Sequence, residues 1–353
     1  MMEKMMRVAM YYNNHDIRLE EVPVPVIHDG EILMKVYASG ICGSDVMEWY
    51  RIKKAPLVLG HEVAGEIAEI GRGVEKFKIG DRIVAAHHVP CNTCYYCMTG
   101  HHTACDTLRK TNFDPGGFAE YIRLPEINVD RGTHFIPDEL DYSTATFHEP
   151  LGCILRAQRI ARLQPGQCVM VMGSGMAGLL HIHMARASGA GKILAVDISQ
   201  PRLEAAVRFG ADDAVFPSEK LNELLRSINR GRLADLVIEC SGKKEAINRS
   251  LNSIERGGTV MLFAPTGPDV TIPISINDLF FRNDITVTTS YGSAPYDSWL
   301  ALEVLRSGSL EVEKMITHKL PLEKTQYGFE LVTSAGDSLK VIIQPQKDQL
   351  KEK

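Results

Sequence analysis

The sequence of 353 residues has no run of about 18 consecutive apolar residues, the length a helix needs to cross a membrane. Its methionine-rich start, Met1 to Met10, carries Glu3, Lys4 and Arg7 where a secretory signal needs an apolar stretch, so the expected compartment is the cytoplasm, with no membrane partner. Positive charge is not in excess. With 39 Lys and Arg against 44 Asp and Glu the net charge is −5, no broad cationic field exists to hold a phosphate backbone, and nucleic acid is not an expected partner. The helical HExxH pattern of zinc peptidases is also missing. What is present, 44% apolar and 24% charged residues, suits a soluble protein with two cores and excludes a disordered chain.

Eight cysteines in a long chain without an export signal point to metal rather than to a disulfide framework. Four of them, Cys91, Cys94, Cys97 and Cys105, fall in one short loop. Zn²⁺ held by four thiolates is a closed tetrahedral site with no place for substrate, which makes this a structural zinc. The neighbouring His87, His88, His101 and His102 are expected at the surface, since four sulfurs already saturate the metal. A second set is less regular: Cys42 in Gly40-Ile-Cys42-Gly-Ser44-Asp45, His61 and Glu62 in Gly60-His61-Glu62, and Glu149 in His148-Glu149-Pro150. A thiolate, an imidazole and a carboxylate leave the fourth zinc position open, as catalysis requires. Spacing alone leaves other readings open: a buried thiol, a turn histidine and an acid at a helix start.

Residues 31 to 125 read as short strands punctuated by glycine turns: Glu31 to Ala38, Glu62 to Ile70, Asp81 to Ala86 and Gly117 to Leu124. From Gln167 the pattern changes to six apolar runs near 168–172, 193–197, 214–216, 236–239, 259–263 and 285–289, with helical stretches between them. Continuous apolar strands need a sheet covered on both faces, so this region is expected to be α/β, a doubly wound parallel six-stranded sheet. Helices near 296–306 and 322–334 and a strand at 340–343 follow, ahead of a solvated tail from Lys347 to Lys353.

Gly173-Ser-Gly175-Met176-Ala177-Gly178 follows the first apolar run and opens a helix over Met176 to Ala187. The first glycine allows a tight turn, the second lets backbone approach a pyrophosphate, and the third lets helix pack on strand. The helix start supplies amide donors for the phosphates. Asp197 ends the next strand 19 residues beyond Gly178, where its carboxylate can accept both hydroxyls of an adenosine ribose and repel a 2′-phosphate, favouring NAD over NADP. Arg202 is placed to lie over the adenine.

These motifs, in this order, resemble the zinc-dependent medium-chain dehydrogenases, in particular the sorbitol (polyol) and threonine dehydrogenase branch. The resemblance runs on through Asp235-Leu-Val-Ile-Glu-Cys-Ser-Gly242, Gly257-Gly-Thr-Val260, Ile316-Thr-His-Lys319 and Lys340-Val-Ile-Ile343. It implies a GroES-like catalytic domain over 1–150 and 290–353 with a structural zinc lobe at about 88–108, a Rossmann domain over 151–289, and catalytic zinc in the cleft between them. It further implies a small-molecule alcohol as substrate, two zincs per chain, and Cys42 and His61 as ligands with either Glu62 or Glu149 as the third. Ser44 matches the family hydroxyl beside the alcohol, and Leu262, Phe263, Ala264, Ser290 and Tyr291 match segments that line the nicotinamide. A homo-oligomer, a tetramer, is expected on the same ground. The chain departs from many members at Met47, where they carry a histidine two residues beyond the aspartate. Together with His148 and the stretch Met47 to Arg51, this points away from plain sorbitol toward another polyol, a cyclitol or an amino alcohol. The activity expected is hydride transfer from a secondary alcohol to NAD, with L-threonine or a simple secondary alcohol as rival substrates. A non-catalytic scaffold would be expected to have lost zinc ligands, and all are retained.

Overall fold

Gly40 and Glu62 are register partners on two antiparallel strands, and that pairing organises the first of the two units into which the chain divides. The computed structural model describes residues 4–347 apart from 335 and 337. Most of the expected tail, 348–353, lies outside the described residues. One unit comprises Met1–Gly152 and Gly292–Lys353, and the other Cys153–Tyr291.

The first unit opens with β1 (Met5–Asn13), β2 (Asp16–Pro23), β3 (Ile32–Gly40) and β4 (Leu57–Val58). It continues with β5 (Glu62–Ile70), β6 (Arg82–Ala85), β7 (Tyr121–Leu124) and β8 (Thr133–Phe135). The second unit holds β9 (Cys168–Met172), β10 (Lys192–Val196), β11 (Asp213–Val215), β12 (Ala234–Glu239), β13 (Ile254–Leu262) and β14 (Thr286–Thr289). The chain then returns to the first unit with β15 (Ile316–Pro321) and β16 (Lys340–Gln344). Three helices matter below: α1 (Glu48–Arg51), α2 (His148–Ile160) and α3 (Met176–Ala187).

In the first unit β2, β1 and β4 form a small antiparallel sheet. The β1–β2 hairpin has no clear alternating pattern in the sequence, because β2 is mostly solvated and carries Asp16, Arg18, Glu20 and Glu21. The larger sheet runs β15-β16-β3-β5-β6-β8, with β7 also on β3. Its apolar faces bury Val8, Met34, Val36, Val63, Ile83 and Ile122 on one side and Ile41, Phe118, Phe329 and Val341 on another. Because β16 pairs with β3, the end of the chain joins the strand that leads into Cys42.

The second unit is a parallel sheet of order β11-β10-β9-β12-β13-β14. Every residue of β9 is buried, as a strand covered on both faces must be. Helix α3 buries Gly178, Leu179, Leu180, His181, Ile182 and Ala185, so its first half is covered on nearly every side rather than along one stripe. The order reverses between β9 and β12, and in such sheets ligands bind outside the carboxyl ends of strands at that point. Among the described residues no helix is long and apolar enough to cross a membrane.

Candidate functional site

The β3–β5 register sets Gly40 opposite Glu62, so the turn after β3 and the residue before β5 bring Cys42 and His61 together. One ligand atom from each of Cys42, His61 and Glu62 lies within 4.8 Å of the others. Asp45 shapes this group. Its Oδ2 accepts from the Cys42 amide at 3.0 Å, closing a tight turn in which the Ser44 amide also lies 3.5 Å from the Cys42 sulfur. Its Oδ1 stands 3.3 Å from His61 Nδ1, which leaves the other ring nitrogen, Nε2, as the one that could ligate a metal. Burial is the largest single influence on His61 and opposes its protonation, but the charge and hydrogen bond of Asp45 together with Cys42 outweigh it and raise the imidazole well above its usual pKa. Asp45 is itself held below the usual carboxylate range against its burial, by His61, Arg51 and the Cys42 amide.

Glu62 is fully buried. Its Oε2 accepts from Lys340 Nζ on β16, which also donates to the Ile41 carbonyl at 3.2 Å. Its Oε1 has no hydrogen-bond partner. A buried carboxylate oxygen without a donor is costly unless a cation completes it, so this orphan atom beside a thiol and an imidazole fits zinc. Glu149 is buried in the first turn of α2 and stands outside that three-residue group.

The four-cysteine loop is also assembled. Sulfur separations are 3.6 Å for Cys94–Cys97 and Cys91–Cys105, and 4.0 Å for Cys91–Cys97. Four sulfurs about 2.3 Å from one zinc would lie about 3.8 Å apart, so the loop has the dimensions of a closed site. Amides of Cys91 and Cys94 point at the sulfurs of Cys105 and Cys91, at 3.4 and 3.3 Å. Hydrogen bonds led by Thr93 pull the Cys91 thiol down to about 5.

His87 and His88 correct the expectation of surface histidines. Both are half-buried, and the His87 ring lies 4.8 Å from that of His61. His88 Nδ1 contacts the Thr111 carbonyl at 2.7 Å. Burial drives both pKa values down, that of His88 to about 4, so they stay neutral near pH 7. The sequence carries a signal for this: both lie just beyond β6, whose last residue, Ala85, pairs with Val63 next to Glu62.

In the second unit Gly173 adopts φ +93°, and a side chain's first carbon placed there would lie 3.1 Å from the Ser241 amide nitrogen. At Gly178 such a carbon would meet the Gly173 carbonyl at 1.9 Å, so strand and helix can meet only with glycine. Space beside Gly175 is open. Gly175 precedes Met176 and Ala177 at the start of α3 with no side-chain cap, which leaves the first amides for an anion. Asp197 follows β10. Its oxygens accept from Ser174 N at 2.6 Å and Ser199 N at 2.9 Å, which fixes the carboxylate beside the glycine turn. Arg202 lies in the next helix with its Nε buried and unpartnered. Leu262 and Thr289 are register partners, so Phe263 and Ala264 emerge beside Ser290 and Tyr291 at the carboxyl ends of adjacent strands. Glu239, to which the motifs assign no role, accepts from the Ser241 and Gly242 amides at 2.8 and 3.0 Å and anchors the loop facing Gly173. His181 and His183 face apart, one against Phe263 and the other against Phe209.

Residues 28–138 match the alcohol dehydrogenase GroES-like domain and residues 177–306 the zinc-binding dehydrogenase domain. The chain is 33% identical over 355 residues to a sorbitol dehydrogenase of Bacillus subtilis, spanning 97% of this chain and 98% of that one. It is 34% identical over 336 residues to an L-threonine 3-dehydrogenase of Bacillus licheniformis, spanning 92% and 94%. A crystal structure of a zinc-binding dehydrogenase from Sinorhizobium meliloti bound to NADP superposes with a TM-score of 0.85 at 27% identity, over 97% of this chain and 100% of that one. The chain therefore belongs to the zinc-dependent medium-chain dehydrogenases, with a GroES-like unit and a Rossmann unit. As a member it is an oxidoreductase of small-molecule alcohols that works with zinc and a nicotinamide dinucleotide.

Proposed function

We propose that the chain oxidises a secondary alcohol of a polyol, cyclitol or sugar alcohol with NAD, using Cys42, His61 and Glu62 as the protein ligands of a catalytic zinc. The observation that carries this is the three-residue group with its buried, unpartnered Glu62 Oε1. Zinc there would polarise the alcohol hydroxyl, and NAD would accept the hydride. The side chains do the remaining work. His61 stays oriented through Asp45, and Ser44 Oγ accepts the alcohol proton as its own proton passes to solvent water. Lys340 offsets the charge of Glu62, and Arg51 that of Asp45. Asp197 supports NAD over NADP, because a 2′-phosphate would meet its carboxylate. Cys91, Cys94, Cys97 and Cys105 hold the second, structural zinc. A cytoplasmic homotetramer completes the reading, supported by family resemblance; gel filtration with light scattering checks the assembly.

The test is NADH formation by zinc-loaded protein across sorbitol, xylitol, inositols, L-threonine, butane-2,3-diol and simple secondary alcohols. Turnover of a polyol or cyclitol supports the reading. Preference for L-threonine replaces it with amino-alcohol chemistry, and silence across the panel removes it.

A further inference from the structure

Arg51 is the cationic side chain that touches Ser44 and Asp45, the residues that follow Cys42. It ends the single turn α1, where the Tyr50 and Arg51 amides donate to the Met47 carbonyl at 3.0 and 3.1 Å. That turn folds the guanidinium back over the residues that follow Cys42. Arg51 Nε donates to the Ser44 carbonyl at 3.0 Å and Nη2 to Ser44 Oγ at 3.1 Å. The same Nη2 lies 3.5 Å from Asp45 Oδ1, the atom that faces His61 Nδ1 at 3.3 Å. Only 15% of the Arg51 side chain is exposed, and the Asp45 side chain is fully buried. Met47, at the start of the turn, has an apolar side chain and offers Ser44 no polar alternative.

A serine hydroxyl has one donor and two acceptor positions. Arg51 fills one acceptor position, which leaves one lone pair to receive a proton and one O–H to give one. Guanidinium stays protonated and cannot carry a proton itself, and its planar fork holds two groups in fixed relation where an ammonium would hold one. We propose that Arg51 is a positioning residue: it aims the Ser44 hydroxyl at the alcohol and braces the Asp45–His61 pair with the same guanidinium. The inference rests on reading Ser44 as the proton acceptor.

The experiment compares wild type with R51A, R51K and S44A, all zinc-loaded, using the best alcohol of the panel with and without sub-denaturing guanidinium chloride. A readout free of turnover is added: trifluoroethanol binding to the cobalt-substituted, NAD-bound protein, followed by its visible spectrum. R51A is expected to lose about 10- to 100-fold in kcat, the span of a charge-assisted hydrogen bond, with metal content and the KM for NAD unchanged. Guanidinium restores part of that loss in R51A and none in S44A, R51K is intermediate, and trifluoroethanol binding weakens in parallel. Near-normal turnover and trifluoroethanol binding in R51A beside an inactive S44A overturns this inference alone. Loss that neither guanidinium nor lysine recovers, with metal lost, makes Arg51 merely structural and also overturns it. Full activity in S44A removes the reading of Ser44, and this inference with it. If wild type oxidises nothing in the panel, the proposed function fails, and trifluoroethanol binding decides Arg51: weakened and guanidinium-restored supports it, unchanged refutes it.

Discussion

Glu62 and Lys340 lie 278 positions apart in the sequence and form an ion pair that no solvent reaches. Gly40 makes the pair possible: a side-chain carbon there would sit 2.0 Å from Glu62 Oε2 and 2.8 Å from Lys340 Cε. The pair joins the last strand of the chain to the residue that completes the candidate catalytic ligand set.

Removing the cation should therefore be severe. Lys340→Met is expected to cost about 3–5 kcal/mol in urea unfolding, because an ionised Glu62 would be left buried without its partner. Gly40→Ala should disturb Glu62 directly and lower the zinc content of the catalytic site. Unfolding of Lys340→Met indistinguishable from wild type would contradict the stabilising role given to this pair.

The sulfur cage makes a separate claim. Cys97→Ser is expected to reduce zinc, measured by atomic absorption, from about two per chain to about one, and to lower the thermal midpoint, since metal binding there contributes to folding. Unaltered zinc content and midpoint would contradict a structural zinc.

Asp197 is tied to the backbone on both oxygens, which holds its carboxylate beside the glycine turn. Asp197→Ala should weaken NAD and move the NAD-to-NADP preference toward NADP by about tenfold or more, read as kcat/KM ratios. An unmoved ratio would contradict the selectivity assigned to this carboxylate.

Acid should unfold the protein early. Burial holds His148 and His181 down to about 3 and His134 to about 4, against an ordinary value of 6.5. The native state thus binds fewer protons than the unfolded chain between those values. Stability from these groups is complete above 6.5 and declines as the pH falls toward the folded values, by up to about 1.4 kcal/mol per unit for each group. His148→Phe, which replaces a fully buried ring with both nitrogens unpartnered, should flatten the fall of the urea midpoint from pH 6.5 downward. An unchanged slope would show that His148 does not titrate with unfolding.

Which parts are legible in the sequence follows from how local their signals are. Strand β9, its glycine turn and helix α3 are one continuous segment, so period, punctuation and chemistry can be read together, and α3 has the bounds expected. The four-cysteine loop is legible for the same reason, as its cysteines are close in sequence. Asp45 is visible within its motif, but its role needs His61 beside it, and that depends on the β3–β5 register. Lys340 and Arg51 stand in stretches that the sequence singles out, but their contacts are not legible there: one acts across the β3–β16 pairing, the other because a single turn reverses its direction. His87 misleads because two adjacent histidines beside four cysteines look like loop surface until β6 is laid against β5.

The most direct test of the account is NADH formation from the alcohol panel by zinc-loaded wild type beside Cys42→Ser and His61→Ala, with NAD binding to each protein measured by calorimetry. The account requires turnover by wild type, loss of about a thousandfold or more in both variants, and NAD affinity that stays the same. Variants that keep near-normal turnover would contradict the assignment of Cys42 and His61 to the catalytic metal.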